Sequence, residues 1–492
     1  MSLVSSIISG LRWKLFSKFV TAITGGILTI VLARVLEPDG YGLLFFAFSI
    51  ISILSFVSNL GFGRSASRYV SEFKVSDPGQ VWHVIRFATL FISISTGTSV
   101  ILLGVFHVEI AELVNNPDVA PLLLLGTIFL AFSTLYSYVD HLLQGFEEMK
   151  LISIANIVNS VGTLLAAGAL VIFGFGAFGG MLGYAIGYAL SFFTAFILLY
   201  VFVYPNYDHE EEPTPGLPRR IFEYNIPIIA TKSGSLLSKT VDTLLVGFFL
   251  GPAAVGFYTL GEKIVKMVET PVSALGYTLA PAFGSAKADE NIEGISRVFE
   301  QSVLYTLALY LPAASGIALL AEPMVEYIFG SDYLGAVLVI QLFTVYLIMN
   351  SLMKYTSAGL DFLGRARERA IIKTVTSVAN VGLNLLLIPT IGVEGAVLAT
   401  LLTYGTYSLL NLYIMHKELE IEFGRIRTQL TYVLVITLVM SIVVMFVRDY
   451  IGGIVSLFSV VILGMMVVGI LSYLTGLFDR RLIERFIRND GG

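Results

Sequence analysis

Apolar runs long enough to cross a bilayer follow one another along nearly the whole chain, and this bounds the fold more tightly than any motif. A spanning helix needs ~20 mostly apolar residues. Fourteen such segments can be drawn, over 13–36, 41–63, 81–106, 120–145, 151–173, 176–204, 220–250, 254–284, 294–321, 335–362, 367–388, 392–416, 428–447 and 453–476. The connections between them are short and leave no room for a soluble domain. Composition agrees. Charged residues make up 13% of the 492 positions, about half the ~25% of soluble domains. The expected fold class is an all-α integral membrane protein with 14 transmembrane helices.

The Lys/Arg asymmetry of the loops orients it. With the N-terminus inside, the inner loops and tails carry twenty Lys and Arg, and the outer loops only Arg34 and Arg448. An odd helix count would break this alternation, so both termini are expected in the cytoplasm and the membrane is expected to be the plasma membrane. Ser2–Trp13 reads as a short amphipathic lead-in at the membrane surface, without a cleavable-signal pattern. A formal net charge of -5 gives no reason to expect a nucleic-acid partner. The absence of cysteine removes disulfides, thiol catalysis and Cys-based metal sites. The five histidines (His83, His107, His141, His209 and His416) are scattered without metal-ligand spacing. No catalytic residue and no metal site is expected, and the chain is read as a non-enzyme.

One charged, Pro-rich linker, "PNYDHEEEPTPGLPRR" (Pro205–Arg220), interrupts the series. The sequences on its two sides are related. "LEPDGYG" (Leu36–Gly42) matches "LGPAAVG" (Leu250–Gly256) at an offset of 214, which also pairs Glu112 with Glu326 and Asp118 with Asp332. "GAFGG" (Gly176–Gly180) matches "GVEGA" (Gly392–Ala396) at 216. Three matches in order, at nearly one offset, point to an internal repeat. Six helices per repeat keep the same orientation. The expected architecture is two pseudo-symmetric six-helix bundles around a central cleft plus two C-terminal helices: an N-terminal lobe over 1–204, a linker over 205–219, a C-terminal lobe over 220–417, and helices 13–14 with a cytoplasmic tail over 418–492.

Apart from those within four residues of an end, eight basic residues fall inside these segments: Lys18, Arg86, Lys232, Lys239, Lys263, Lys266, Lys354 and Lys373. A charge at the bilayer centre costs roughly 2.5–3.5 kcal/mol on insertion scales, so each must snorkel, pair or face water. Arg86, Lys373 and Lys18 lie near inner helix ends, where snorkelling is open to them. Lys239 and Lys266 lie deeper. Their alternative is a structural ion pair at helical spacing, Lys239 with Asp242 or Lys266 with Glu262 or Glu269. Lys18 pairs with Lys232 across the repeat, and Asn225, Lys232, Lys239 and Asp242 share one helical face. These relations favour a hydrated cleft with a cationic lining, suited to an anion that must cross the bilayer. The acidic residues Asp140, Asp242, Glu262, Glu269 and Asp361 are candidates for ion coupling or pairing. Pro271, Pro281 and Pro312 are candidate kinks. Gly25 and Gly26 serve either as a hinge or, the favoured reading, as a close-packing site.

The layout and three stretches carry a resemblance. "VDTLLVGFFLGPAAVGFYTLGEKI" (Val241–Ile264), "EPMVEYIFGSDYLGA" (Glu322–Ala336) and "LGRARERAIIKTVTSVANVGLNLLLIPTIGVEGAVLAT" (Leu363–Thr400) resemble the polysaccharide-biosynthesis (Wzx-like) oligosaccharide flippases of the multidrug/oligosaccharidyl-lipid/polysaccharide exporter superfamily, over essentially the whole chain. The resemblance implies a flippase that moves a polyprenyl-phosphate- or pyrophosphate-linked saccharide from the inner to the outer leaflet by alternating access. It implies a phosphate held in a central cavity, on helices that here carry Lys18, Lys232, Lys239 and Lys266. It implies no cofactor beyond Na+ or H+ as a coupling ion. The expected partners are membrane lipids and the glycosyltransferases that load the substrate, and the working unit is a monomer. A multidrug/cation antiporter of the same superfamily would call for acids in the first helix, which has none. A lipid II-type flippase fits the same layout.

Overall fold

The computed structural model describes residues 3–203, 212–269, 292–419 and 423–477, the side chains of 3–9, 231–239 and a few others excepted. Among these residues the chain is helical, without a strand. The helices are α1 (Leu3–Asn59), α2 (Phe62–Ser76), α3 (Gln80–Val105), α4 (His107–Leu113), α5 (Ala120–Gly145), α6 (Met149–Leu170), α7 (Gly176–Phe202) and α8 (Leu217–Leu250). They continue with α9 (252–269), then α10 (Ile292–Met324), α11 (Val337–Phe362), α12 (Ala366–Ile391), α13 (Val393–Leu419), α14 (Phe423–Arg448) and α15 (Ile454–Leu474).

The helices account for fourteen spans. Ten stretches are long and apolar enough to cross a membrane. Two of them hold a pair of spans joined at a kink: one after Leu36, the other at the Gly174–Gly176 turn. Helices α8 and α9 complete the set, the end of the eighth predicted span lying outside the described residues. Large apolar side chains on the outer faces, among them Phe173, Leu409 and Phe446, stand where lipid would be. The protein is a multi-pass membrane protein.

The repeat is written in the backbone. Glu37 takes φ 56, ψ 176, and Gly251, 214 residues later, takes φ 84, ψ -176. Gly176 takes φ 55, ψ -148, and Gly392, 216 residues later, φ 88, ψ -150. This corner of conformational space is open almost solely to glycine, so its recurrence at matched positions marks one turn used twice. The first of these turns also meets its copy. A Cβ on Gly42 would lie 1.7 Å from the carbonyl oxygen of Pro252, and one on Gly256 would lie 2.5 Å from that of Pro38. Each glycine therefore lets the other repeat's proline carbonyl approach. Gly25 has nothing within 4 Å. The close packing expected of it occurs at Gly42 instead.

Two compact units divide the chain, Met1–Gly256 and Phe257–Gly492. The first includes α8, which runs along the second half of α1. Gly247 faces the Phe46 ring, Ser52 Oγ donates to Thr240 Oγ1 at 3.3 Å, and Asn225 and Ile228 lie against Gly61. Ser65 Oγ donates to Asn225 Oδ1. An unpredicted element, α2, stands where the sequence reading placed an inner loop. Phe62, Ala66, Tyr69, Val70 and Phe73 recur at helical spacing and join a core with α3, α5 and α8, while Arg64 and Arg68 stay on the polar side. The last residues before α8 are fixed to α3 by Gln80, whose amide donates to Glu212 O and accepts from Thr214 N, both at 2.8 Å. In the second unit α14 and α15 pack on α10, through Leu320, Met440, Val444 and Leu457 and through Leu304, Ala308, Val433 and Ile436. Pro312 sits inside α10 without ending it. Pro271 and Pro281 lie outside the described residues.

Candidate functional site

The charges cluster in the second unit. On α9, Glu262, Lys266 and Glu269 share a face, as i, i+4 and i+7 positions must. Lys266 Nζ sits 2.5 Å from Glu262 Oε1. Glu269 is held from two further helices. Asn350 Nδ2 on α11 donates to its Oε1 at 2.5 Å and Lys354 Nζ, one turn on, to its Oε2 at 3.4 Å. The Tyr310 hydroxyl on α10 donates to its backbone carbonyl at 3.2 Å. Beside this network lies an aromatic group. Tyr346 on α11 meets Tyr404 on α13 edge-on at 4.8 Å. Lys373 on α12 places its ammonium 4.5 Å from the Tyr404 ring centre and 5.2 Å from that of Tyr407. Tyr346 is within electrostatic reach of both Glu262 and Glu269.

Counting Lys373, three lysines and two carboxylates are gathered here among the described residues, so the lysines outnumber the carboxylates. Each pair is partly exposed, Lys266 at 49% and Lys354 at 35%. A carboxylate that holds a lysine in water-accessible geometry gains little net energy. A dianionic phosphate, with more charge and more acceptor oxygens, can displace it. Neighbouring tyrosine rings offer apolar faces with a polar tip, the complement of a sugar. The arrangement can hold and release an anionic head group that carries a saccharide.

The first unit has a polar cavity of different character. It measures about 330 Å³ and is lined by Ser55 and Asn59 of α1, Ser133, Thr134, Tyr136, Ser137 and Asp140 of α5, Asn156 of α6 and Tyr188 of α7. The one carboxyl group in its lining is that of Asp140, whose Oδ2 accepts from Gln144 Nε2 at 2.7 Å.

The sequence-predicted residues distribute as follows. Lys266, Glu262 and Glu269 lie in the second-unit cluster. Lys266 has adopted the alternative weighed for it, an i,i+4 ion pair with Glu262. Asp140 lines the first-unit cavity. Asp242 is buried on α8, 2% exposed. Lys18 is exposed on α1 of the first unit. Lys232 and Lys239 fall on α8 with side chains outside the described residues. Asp361 sits at the end of α11, gripped by Arg369 Nε and Nη2 at 2.9 and 3.0 Å. Close by, Arg365 bonds Glu368 and Glu418. The bond to Glu368, then that to Glu418, raises the guanidinium pKa above its ordinary value. "GRARER" is thus largely an internal ion network. The sequence reading missed Asn350, Tyr346, Tyr404 and Tyr407, and did not place Lys354 or Lys373 in a site. Lys354 was visible as an intramembrane charge, but its partner is 85 residues away, beyond any helical-spacing argument.

The model of the family described as polysaccharide biosynthesis protein matches residues 7–287. A membrane protein of Methanocaldococcus jannaschii, described as uncharacterised, is 22% identical over 98% of this chain and 97% of its own. The probable low-salt glycan biosynthesis flippase Agl15 of Haloferax volcanii is 23% identical over 51% of this chain and 53% of its own. The lipopolysaccharide biosynthesis protein WzxC of Escherichia coli is 22% identical over 85% and 82%. Among solved structures, a lipid II flippase MurJ in an inward closed conformation superposes with TM-score 0.76 at 15% identity, covering 97% of this chain and all of that one. An inward-facing multidrug resistance MATE family transporter of the MOP superfamily superposes with 0.68 at 16%, covering 85% and 99%. These two likenesses show the fold.

Proposed function

The chain belongs to the polysaccharide biosynthesis protein family, and from that membership we propose that it is a flippase for a polyprenyl-phosphate- or pyrophosphate-linked saccharide. It takes the substrate from the inner to the outer leaflet by alternating access. The observation that carries this reading is the second-unit cluster. Lys266 and Lys354 are held by exchangeable carboxylates next to Tyr346, Tyr404 and Tyr407. Relatives named as flippases and as a lipopolysaccharide biosynthesis protein support it. Binding the head group requires the lysines to leave Glu262 and Glu269, and release lets the pairs re-form. That exchange keeps affinity moderate, as a carrier must. The chain breaks and makes no covalent bond in this scheme.

Further parts of the proposal rest on the sequence. Both termini are cytoplasmic, from the positive-inside count. The membrane is the plasma membrane, where glycosyltransferases on the inner face supply the substrate. The working unit is a monomer of two lobes, 1–204 and 220–417, with 418–492 appended. Na+ or H+ supplies the coupling. A multidrug/cation antiporter would need a net acidic site. The second-unit cluster, where lysines outnumber carboxylates, favours the flippase.

The test is translocation in proteoliposomes of a fluorescent polyprenyl-pyrophosphate disaccharide, scored by accessibility to a membrane-impermeant quencher. The Lys266→Ala, Lys354→Ala double variant should lose tenfold or more of the rate, equivalent to about 1.4 kcal/mol. Wild-type rates in the double variant, or uptake of a lipophilic cation in place of the lipid, would overturn the assignment.

A further inference from the structure

Two helices of the first unit bring an unneutralised group of basic residues to the surface. A Cβ on Gly10 would lie 3.2 Å from Met149 Cβ, so α1 starts against the first residue of α6. Further along, the Thr21 and Ser160 hydroxyls, 2.9 Å apart, continue the contact. Arg12, Lys14 and Lys150 are exposed around this junction. Lys150 Nζ rests 5.6 Å from the centre of the Trp13 ring, and that ring meets Phe16 edge-on at 6.4 Å. Elsewhere, basic side chains at helix ends are matched to acids: Lys74 to Glu147, Arg220 to Glu72, Arg297 to Glu293 and Arg369 to Asp361. Among the described residues no carboxylate forms an ion pair with Arg12, Lys14 or Lys150. The acids nearby are Asp140, which feels Lys14 through space, and Glu148, exposed two residues before Lys150. The basic groups outnumber them.

The apolar side chains that continue from this group have a direction. Arg12, Phe16, Phe19, Ile23 and Ile27 follow one another at three- and four-residue spacing, on one face of the helix, and all five are exposed. From Phe16 to Ile27 the helix rises about 16 Å, the depth of one leaflet of a hydrocarbon core ~30 Å thick. Between charge and track stands Trp13, a ring with an apolar body and a polar N–H that suits the boundary between head groups and chains. Cationic head, aromatic boundary and an apolar track one leaflet deep make the outline of an anionic lipid. A soluble phosphate would use the basic group and leave the track idle. A zwitterionic lipid carries its own ammonium, which cancels the attraction. A track one leaflet deep fits an ordinary acyl chain.

We propose that this face of α1, with Lys150 of α6, is a binding site for an anionic phospholipid of the leaflet on the side of the N-terminus. Arg12 and Lys150 take the phosphate, Trp13 covers the glycerol region, and Phe16, Phe19, Ile23 and Ile27 carry one acyl chain. The occupant is a lipid of the surrounding bilayer, distinct from any transported one. Because its head group touches both helices, it fastens the start of α1 to α6 and makes the packing of the first repeat responsive to membrane charge.

The test is tryptophan quenching in bilayers. It needs no saccharide substrate, so its failure and that of the flippase assignment are separable. The chain has two tryptophans, and Trp82→Phe leaves Trp13 as the single reporter in the full-length protein. This variant is reconstituted in phosphatidylcholine vesicles with dibrominated phosphatidylglycerol or dibrominated phosphatidylcholine as the quencher, at matched mole fractions. The anionic quencher should bind beside Trp13 at least about fivefold more strongly, the worth of one basic residue near an anionic membrane. High salt should remove most of that margin. Arg12→Gln with Lys150→Gln, both exposed positions, should bring the two quenchers to parity. The converse variant, Trp13→Phe, reports from Trp82 in the first turn of α3, with Arg86 one turn on, and should show no such preference. Equal quenching at Trp13 would overturn the proposal, as would a preference that survives the double variant. The same preference at both tryptophans would also overturn it, by reducing the effect to a general attraction of charge. So would displacement of the brominated lipid by a trace of polyprenyl phosphate but not by excess unbrominated phosphatidylglycerol, which would make the patch a docking point for the transported lipid.

Discussion

The two repeats use one backbone turn for different chemistry. At Glu37 and Gly251, and again at Gly176 and Gly392, the chain bends through matched dihedral angles. Yet the polar cavity of the first unit holds a lone carboxylate among hydroxyls and amides, while the second unit gathers lysines, carboxylates and tyrosines. Backbone geometry is set by where a chain must turn and how closely it must pack. Side chains that face a cavity are free of that constraint. Duplication thus preserves the turns and leaves the lining open to diverge.

The comparison breaks most severely where the copies touch. Gly42→Val places its Cβ against the Pro252 carbonyl, and Gly256→Val against that of Pro38. Both obstacles are backbone, which cannot swing aside as a side chain can. Each variant should lose about 3 kcal/mol or more, seen as a large fall in melting temperature or in folded yield. Gly25→Ala is the control. It meets nothing within 4 Å and gains helix propensity, so it should melt at or slightly above wild type. A Gly42→Val protein as stable as Gly25→Ala would show that the reciprocal contact does not exist.

The second unit's charges give the next largest effect. Lys354→Ala removes an ammonium held 3.4 Å from Glu269. Glu269 is 15% exposed and Lys354 35%, so the loss should be about 1–2 kcal/mol. Lys354→Ala with Glu269→Gln should recover most of it, because no carboxylate is then left without its cation. Both should translocate poorly. Stability restored without activity separates the lysine's binding role from its structural one; equal stability of the single and double variants would dissolve the pair.

An asymmetry inside the turn sharpens the comparison further. Position 251 is glycine, but position 37 is glutamate at φ 56, where a side chain costs roughly 1–3 kcal/mol. Glu37→Gly should therefore stabilise by about 1 kcal/mol, less the entropy of the freed unfolded chain. Gly251→Ala should destabilise by a similar amount. Opposite signs in thermal melts are the expected result; the same sign at both positions would mean that the turns are not equivalent.

The sequence disclosed what depends on one dimension. Hydrophobic length located the spans, and short matches such as Leu36–Gly42 with Leu250–Gly256 revealed the repeat. It also showed Lys266 with a carboxylate one turn away, since helical spacing is local. It did not disclose α2, whose apolar stripe is too short to span and was read as a loop. Nor could it pair Glu269 with Lys354 and Asn350, or stack Lys373 on Tyr404, because such contacts depend on helix rotation, which tertiary packing decides. Asp140 stood out as an intramembrane acid. The cavity around it did not, because serine and asparagine on four helices carry no pattern until the helices are assembled.

The mildest effect concerns Asp361, the candidate acid that the structure hands to a guanidinium. Arg369 grips it with two parallel bonds, a geometry lysine cannot reproduce. The pair is solvent-accessible, Asp361 at 47%, so Arg369→Lys should cost only about 0.5 kcal/mol. Its effect should shrink further in high salt, where exposed pairs are screened. Translocation should be unchanged, since neither group touches the lysine–tyrosine cluster. Were Asp361→Asn instead to abolish transport while melting like wild type, this carboxylate would be part of the transport path and its pairing with Arg369 would not be merely structural.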